Sequence, residues 1–307
     1  MRPTRVPVAL PAVTGTPAPV RPASPPGRVA FRLRTPTVTV DHSVHSLFVM
    51  PGEAVPLAVE GARAASLSAS GGRLDKSAGS MGDAWTWTAP TTPGLVRLTF
   101  TDASTGETMR LHAFVLTPYD PAQQRIDGYE IGRYVQTSDP SRRIPRGFVA
   151  VPGGLAGVPV SPHFRLGDFI CKQPGTPRYL ALDERLLVKL ERLLVRVQAA
   201  GIPATRFTVM SAYRTPAYNA SIGNETDLSA HLYGQAADIF VDEDGDGHMD
   251  DVTGDGRVTR ADAERLAEIA APLDDDPGLV GGLGIYSPAP HRGPFIHIDV
   301  RGSRARW

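Results

Sequence analysis

The residues best suited to chemistry stand in two short stretches. In Ser229-Ala-His231-Leu-Tyr-Gly234-Gln-Ala-Ala-Asp238-Ile, a histidine and a carboxylate lie seven positions apart with a glycine between them. The run Ala237-Asp238-Ile239-Phe240-Val241 is rich in β-formers and reads as a strand entered from a turn at Gly234. A turn followed by a strand can bring His231 and Asp238 to one point. A third candidate is His297, in Phe295-Ile-His297-Ile-Asp299-Val300. There Ile296, Ile298 and Val300 alternate with Phe295, His297 and Asp299, which predicts a strand with His297 and Asp299 on one face. Two histidines and a carboxylate make a hydrolytic type of zinc site, with a fourth position left to water. Such a metal brings the pKa of bound water toward about 7 and polarises a carbonyl. Histidines on strands are also commonly satisfied core residues, so the residue types alone leave both readings open.

The combined pattern narrows this. Ser-x-His-x-x-Gly-x-Ala-x-Asp is preceded by Ser211-Ala-Tyr213-Arg214-Thr-Pro216 and followed by the terminal Phe-Ile-His-Ile-Asp. Together these resemble the zinc D-Ala-D-Ala carboxypeptidase and murein endopeptidase family, over roughly Ser161 to Trp307. The resemblance implies the fold shared with the hedgehog signalling domain, and zinc held by His231, Asp238 and His297. It implies peptide bonds of D-amino acids in peptidoglycan as the substrate, cut by carboxypeptidase or endopeptidase action. Arg214 matches the arginine of the family's Ser-x-Tyr-Arg-Ser-Pro motif, which implies binding of a substrate carboxylate or of the tetrahedral oxyanion. One departure concerns the general base. The family often has Glu or Asp three residues before the last zinc histidine, and Pro294 stands there. Two substitutes are visible, His291 in the preceding loop and Asp299, roughly 7 Å along the strand from His297. Asp299 can equally be the partner that holds a zinc ligand.

An acidic insert follows the first of these strands. Asp242-Glu-Asp244-Gly-Asp246-Gly247 runs through Asp250 into Asp251-Val-Thr253-Gly-Asp255-Gly256-Arg257-Val258 and on to Asp262. The second loop has oxygen side chains at positions 1, 3, 5 and 12, with glycine at 6, and the Arg257 carbonyl falls at position 7. This is EF-hand spacing with aspartate in place of the final glutamate. It resembles the calcium loop of dockerin repeats and predicts structural calcium at Asp251, Thr253, Asp255, Arg257 and Asp262, with a helix over Ala261–Ala271. The first loop offers Asp242, Asp244 and Asp246, but its position 12 is Thr253, so Asp250 or Asp251 must substitute. Hard oxygen ligands suit calcium rather than zinc.

The elements that must position these residues follow from pattern. Apolar Leu186, Leu187, Leu190, Leu193, Leu194 and Val197 recur at helical spacing between an N-cap at Asp183 and a stop at Gly201-Ile-Pro203. Phe207–Met210 predicts a strand that delivers Ser211 to Arg214. Residues 29–118 show short alternating runs divided by Pro51-Gly52, Gly71-Gly72, Pro93-Gly94 and Thr105-Gly106. These predict an all-β sandwich of immunoglobulin-like size, with Trp85 or Trp87 in its core. His42, His45 and His112 there read as solvated or structural. Residues 119–160 form a connector with possible strands at Tyr129–Tyr134 and Gly147–Val151, and Arg142, Arg143 and Arg146 read as a solvated face. Residues 1–28 are proline-rich and predict no regular structure. The fold class expected is therefore α+β, an immunoglobulin-like sandwich followed by a zinc domain over residues 161–307 that carries the insert at 242–262.

Composition excludes little but usefully. With 32 basic and 32 acidic side chains there is no basic field for nucleic acid. The single cysteine, Cys171, cannot form an internal disulfide and sits in an apolar setting that suits a structural role. No apolar run reaches the roughly 20 residues of a membrane-spanning helix. Val6–Val13, broken by Pro7 and Pro11, is a poor signal peptide core. The resemblance implies the bacterial cell envelope. Two other classes stay open: a zinc-retaining cell-wall binding module without turnover, and a calcium-dependent structural protein.

Overall fold

The computed structural model describes residues 27–77, 83–224 and 226–307. The proline-rich segment lies outside the described residues as far as residue 26, and Arg28 already opens the first strand. Strands predominate among the described residues, and the α-helices lie in the second half.

The first half is all β. Its strands are β1 (Arg28–Arg34), β2 (Thr39–His42), β3 (Val44–Val49), β4 (Ala54–Glu60), β5 (Ala65–Ala69), β6 (Arg73–Ser77), β7 (Asp83–Thr88), β8 (Gly94–Asp102) and β9 (Thr108–Val115). They form two sheets, ordered β2-β1-β4-β7-β6 and β3-β9-β8-β5. Alternation decides which side chains enter: β4 buries Val55, Leu57 and Val59 and turns the residues between them outward. Both sheets feed one core that includes Phe31, Leu57, Trp87, Leu98 and Phe100. Both tryptophans are buried. Trp87 donates its indole N–H to the Gly71 carbonyl at 3.0 Å, and Trp85 meets Phe100 edge-on at 5.9 Å.

A connector carries the short strands β10 (Thr117–Pro118), β11 (Arg125–Ile126), β12 (Tyr129–Glu130), β13 (Gly147–Val151) and β14 (Arg178–Leu180). Of the segment Tyr129–Tyr134, only the first two residues are strand. Arg143 and Arg146 are exposed, as expected, but Arg142 is buried. The turn after His231 folds back over it. Arg142 Nη1 donates to Gln235 Oε1 at 2.8 Å, and its guanidinium lies 5.4 Å from the Tyr233 ring centroid.

The second half contains α1 (Glu184–Ala199), β15 (Phe207–Ser211), α2 (Pro216–Ser221), β16 (Ala236–Val241), α3 (Arg260–Ala270), β17 (Gly282–Tyr286), β18 (Phe295–Asp299) and β19 (Ala305–Arg306). Asp183 caps α1 by accepting the Arg185 N–H, an interaction that typically contributes about 1 kcal/mol. The leucine stripe of α1 shares one core with Ala237, Ile239, Ile296 and Ile298. The sheet runs β15-β16-β18-β17-β19.

The two halves touch along β3 and α1, where Val188 and Leu279 join the core of the β region. His42, His45 and His112 are buried at or beside this seam. His112 Nδ1 donates to the Pro159 carbonyl at 2.7 Å, whereas neither ring nitrogen of His45 has a partner among the described residues.

Candidate metal centre

Sheet register assembles the site. Ser211 pairs with Asp238, Asp238 with His297, and His297 with Gly284, so four strands contribute one transverse row. Residues directly opposite on antiparallel strands have close Cβ atoms, so register alone brings the Asp238 carboxylate to the His297 ring. His231 arrives from a single 3-10 turn, Ala230–Tyr233, closed by Gly234 at φ 67°. Only glycine suits this place. A Cβ there would strike the Ala181 backbone, and the left-handed conformation disfavours any L side chain.

His231, Asp238 and His297 come together, all buried, with their potential ligand atoms within 4.8 Å of one another. His231 Nε2 lies 3.1 Å from His297 Nδ1 and 3.3 Å from Asp238 Oδ1, and His297 Nδ1 lies 3.0 Å from Asp238 Oδ1. The outer nitrogens are occupied. His231 Nδ1 donates to the Ala212 carbonyl at 2.6 Å, and His297 Nε2 donates to Asp299 Oδ2 at 3.0 Å. In these tautomers both inner nitrogens present lone pairs to each other and to a carboxylate oxygen. Such a set requires a cation in its midst, a metal or a proton. Two imidazoles and one carboxylate fit zinc.

Electrostatics follow the same geometry. Burial would raise the Asp238 carboxyl, but His231 and His297 beside it override that and hold it well below the usual range. Burial lowers His231. Burial also acts to lower His297, yet its bonds to Asp238 and Asp299 outweigh this and raise it.

Arg214 sits beside the cluster. Its Nη2 is 2.6 Å from Asp238 Oδ2 and its Nε donates to Ser211 Oγ at 2.9 Å. Asp299 stands behind His297, fully buried. It accepts from Arg301 and from the Gly282 N–H at 2.7 Å, and these contacts occupy both its oxygens. His291 is elsewhere, in a tight turn where Ala289 and Arg292 exchange backbone hydrogen bonds at 2.9 and 3.1 Å. That turn lines a groove together with Arg214 and Asp238.

The sequence reading missed Trp307. Gly284 has no side chain, and a Cβ there would meet the indole, so Trp307 reaches over the row to lie 5.1 Å from the His297 ring. The Arg301 guanidinium packs on the indole, 5.3 Å from the ring centroid, and the indole N–H donates to Tyr286 Oη at 2.8 Å. The signal available was the glycine opposite His297, which becomes visible only once the register is known.

In the acidic insert, the carboxylates that converge within 4.8 Å are Asp242, Asp244 and Asp250. Asp250 joins because its N–H donates to the Val241 carbonyl at 2.9 Å, which closes the loop. Asp246 instead accepts the His248 N–H at 2.7 Å. In the second loop, Thr253 Oγ1 lies 3.0 Å from Asp251 Oδ1 and 3.1 Å from Asp262 Oδ1. Asp251 accepts N–H groups from Gly254, Asp255 and Gly256, and Asp255 accepts from Arg257. Asp262 also forms a capping box with Thr259 at the start of α3.

No family model, no curated protein and no solved structure matches this chain.

Proposed function

We propose that this protein is a zinc-dependent peptidase acting on the D-amino-acid peptides of peptidoglycan in the bacterial cell envelope. The observation that carries the zinc is the facing of two imidazole lone pairs and one carboxylate at about 3 Å, each ring held in that tautomer from behind. The motif resemblance supplies the substrate class and the hedgehog/DD-peptidase fold; the paired sheets in front read as an immunoglobulin-like module. Zinc supplies Lewis acidity, activating a water at neutral pH and polarising the scissile carbonyl.

The chain's own residues do the rest. Asp299 orients His297 and sets its tautomer, with Arg301 and the Gly282 N–H keeping the carboxylate ionised. That engagement favours orientation over proton transfer for Asp299. His291 takes the role of base: in its groove turn, an imidazole nitrogen accepts a proton from the attacking water and returns it to the leaving amine. Arg214 holds Asp238 Oδ2 in place and turns a guanidinium edge toward developing oxyanion charge.

Calcium belongs to the insert. Three mutually repelling carboxylates in the first loop, and the convergence of Asp251 and Asp262 on Thr253, suit a hard cation. Its role is to brace the end of β16, the strand that carries Asp238.

Incubation of the purified protein with peptidoglycan sacculi, with and without a zinc chelator, tests the reading. Chelator-sensitive release of peptides is the expected result. Stoichiometric zinc without any product would leave the binding-module reading, and His231→Ala that still holds stoichiometric zinc would sink the ligand assignment.

A further inference from the structure

Resting on the peptidase reading above, we propose that the substrate passes through the site, so that the protein cuts an internal peptide bond rather than trimming a chain end. Two hollows flank the ligand cluster, one of about 550 Å³ and one of about 690 Å³, and they share Arg214, Asp238 and Phe295. Each alone has the size of a pocket for a drug-sized ligand, roughly 300–1,000 Å³. A terminal trim has to seat only one small residue beyond the bond it cuts, so a second large hollow would be left without an occupant.

The cations nearest the cluster are unsuited to capturing a chain-terminal carboxylate. Arg214 is committed to Asp238 and Ser211. Arg301 is committed to Asp299 and packs on Trp307. Drawing either away would take the arginine from a buried carboxylate, which is unfavourable.

Apolar exposure traces the path. Six large apolar side chains are exposed among the described residues, and three of them, Ile222, Leu228 and Trp307, line these two hollows. Exposed apolar surface concentrated along a groove marks what a bound ligand covers. The larger hollow also holds Lys172 and Arg292, neither with a carboxylate partner among the described residues; Lys172 is exposed, and the Arg292 guanidinium lies 4.7 Å from the Phe295 ring centroid. Two such cations select an acidic residue in the segment of peptide that continues on this side.

The reaction is hydrolysis. The water oxygen bonds to the carbonyl carbon, the C–N bond breaks, and the water proton goes to the leaving amine. Both fragments of the substrate extend away from the site along the groove.

The experiment uses the zinc-loaded full chain and two peptides containing D-alanyl-D-alanine. One ends in a free carboxylate one residue beyond the bond. The other continues for three residues, one of them acidic, and is amidated. Mass spectrometry of the products is expected to show the extended, amidated peptide cut with a kcat/KM roughly tenfold or more above that of the short one, because binding remote from the bond contributes to the transition state. Lys172→Glu is expected to raise KM for the extended peptide several-fold at unchanged zinc content. Cleavage of the short peptide alone would overturn the internal-cut proposal while leaving the peptidase reading intact. Cleavage of neither, with zinc bound, would overturn both. Equal KM in Lys172→Glu and wild type would overturn the acidic preference.

Discussion

His297 has two ring nitrogens, and the molecule gives them different tasks. Nδ1 faces the ligand cluster, while Nε2 is fixed by Asp299. This separates the two residues that the sequence leaves as alternative bases. Asp299→Asn is expected to weaken zinc affinity about 10- to 100-fold before any other effect, because the ring loses its orienting carboxylate. His291→Ala is expected to retain zinc and lose turnover, about 100-fold or more. Zinc content and peptide cleavage measured on the same samples distinguish the two. Full zinc and full activity in both variants would exclude both roles. The candidate ligands were legible because each lies in a short pattern of residues close in sequence. Trp307 and the Arg301 that packs on it were not, because the meeting of Trp307 with His297 depends on strand register and on the missing side chain of Gly284. Arg142 was misread for a related reason: an arginine among arginines reads as surface until a distant turn covers it.

At the scale of elements, the helix α1 and the alternating strands were readable because apolar periodicity is a local property of the chain. The insert was harder. The sequence offered both Asp250 and Asp251 to the first loop, and the structure brings Asp250 into its cluster through a loop closure that spacing does not encode. Burial, together with neighbouring Asp244, Asp242 and Glu243, pushes the Asp250 carboxyl above its ordinary range, against the Glu243 N–H that lowers it. A bound cation would reverse that push. Calcium added after chelation is therefore expected to raise the melting temperature by several degrees, since a ligand that binds only the native state stabilises it. Asp250→Asn and Asp255→Asn, melted with and without calcium, assign the effect to the first or second loop. An unchanged melting curve in the wild type would leave both loops merely acidic.

At the scale of the whole molecule, the seam between the β region and α1 contains a proton-sensitive point. Burial, and to a lesser degree nearby His42, lowers His45 from 6.5 to about 3. The folded state thus keeps His45 neutral where an unfolded chain would protonate it. Its contribution is fully present above pH 6.5 and is lost progressively as the pH falls toward about 3. Around the seam stand Asp41, Arg28, Glu191 and Arg192, which act on His42, and Glu184, whose carboxyl burial raises to about 8. Glu184 is then neutral below that value and offers His45 no counter-charge in acid. Over the same interval Glu184 acts in the opposite sense, because its folded-state carboxyl holds a proton that the unfolded chain gives up above about 4.5, so the His45 contribution is read by comparing variants. In denaturant melts, His45→Phe is expected to gain on the order of a few kcal/mol relative to wild type between pH 7 and pH 4, and a pH-independent difference would place the acid sensitivity elsewhere. This seam was invisible in the sequence, where nothing in the short stretch from His42 to His45 shows what will cover it.

Trp307 beside His297 has a spectroscopic consequence. The chain has three tryptophans, and Trp85 and Trp87 are sealed in the core of the β region, away from the ligand cluster. Imidazolium quenches indole emission more strongly than neutral imidazole does, and a histidine that coordinates a metal cannot take up that proton. Loading of the site should therefore brighten one fluorophore out of three, without any label. Trp307→Phe would silence the change, so the native chain carries its own optical gauge of occupancy.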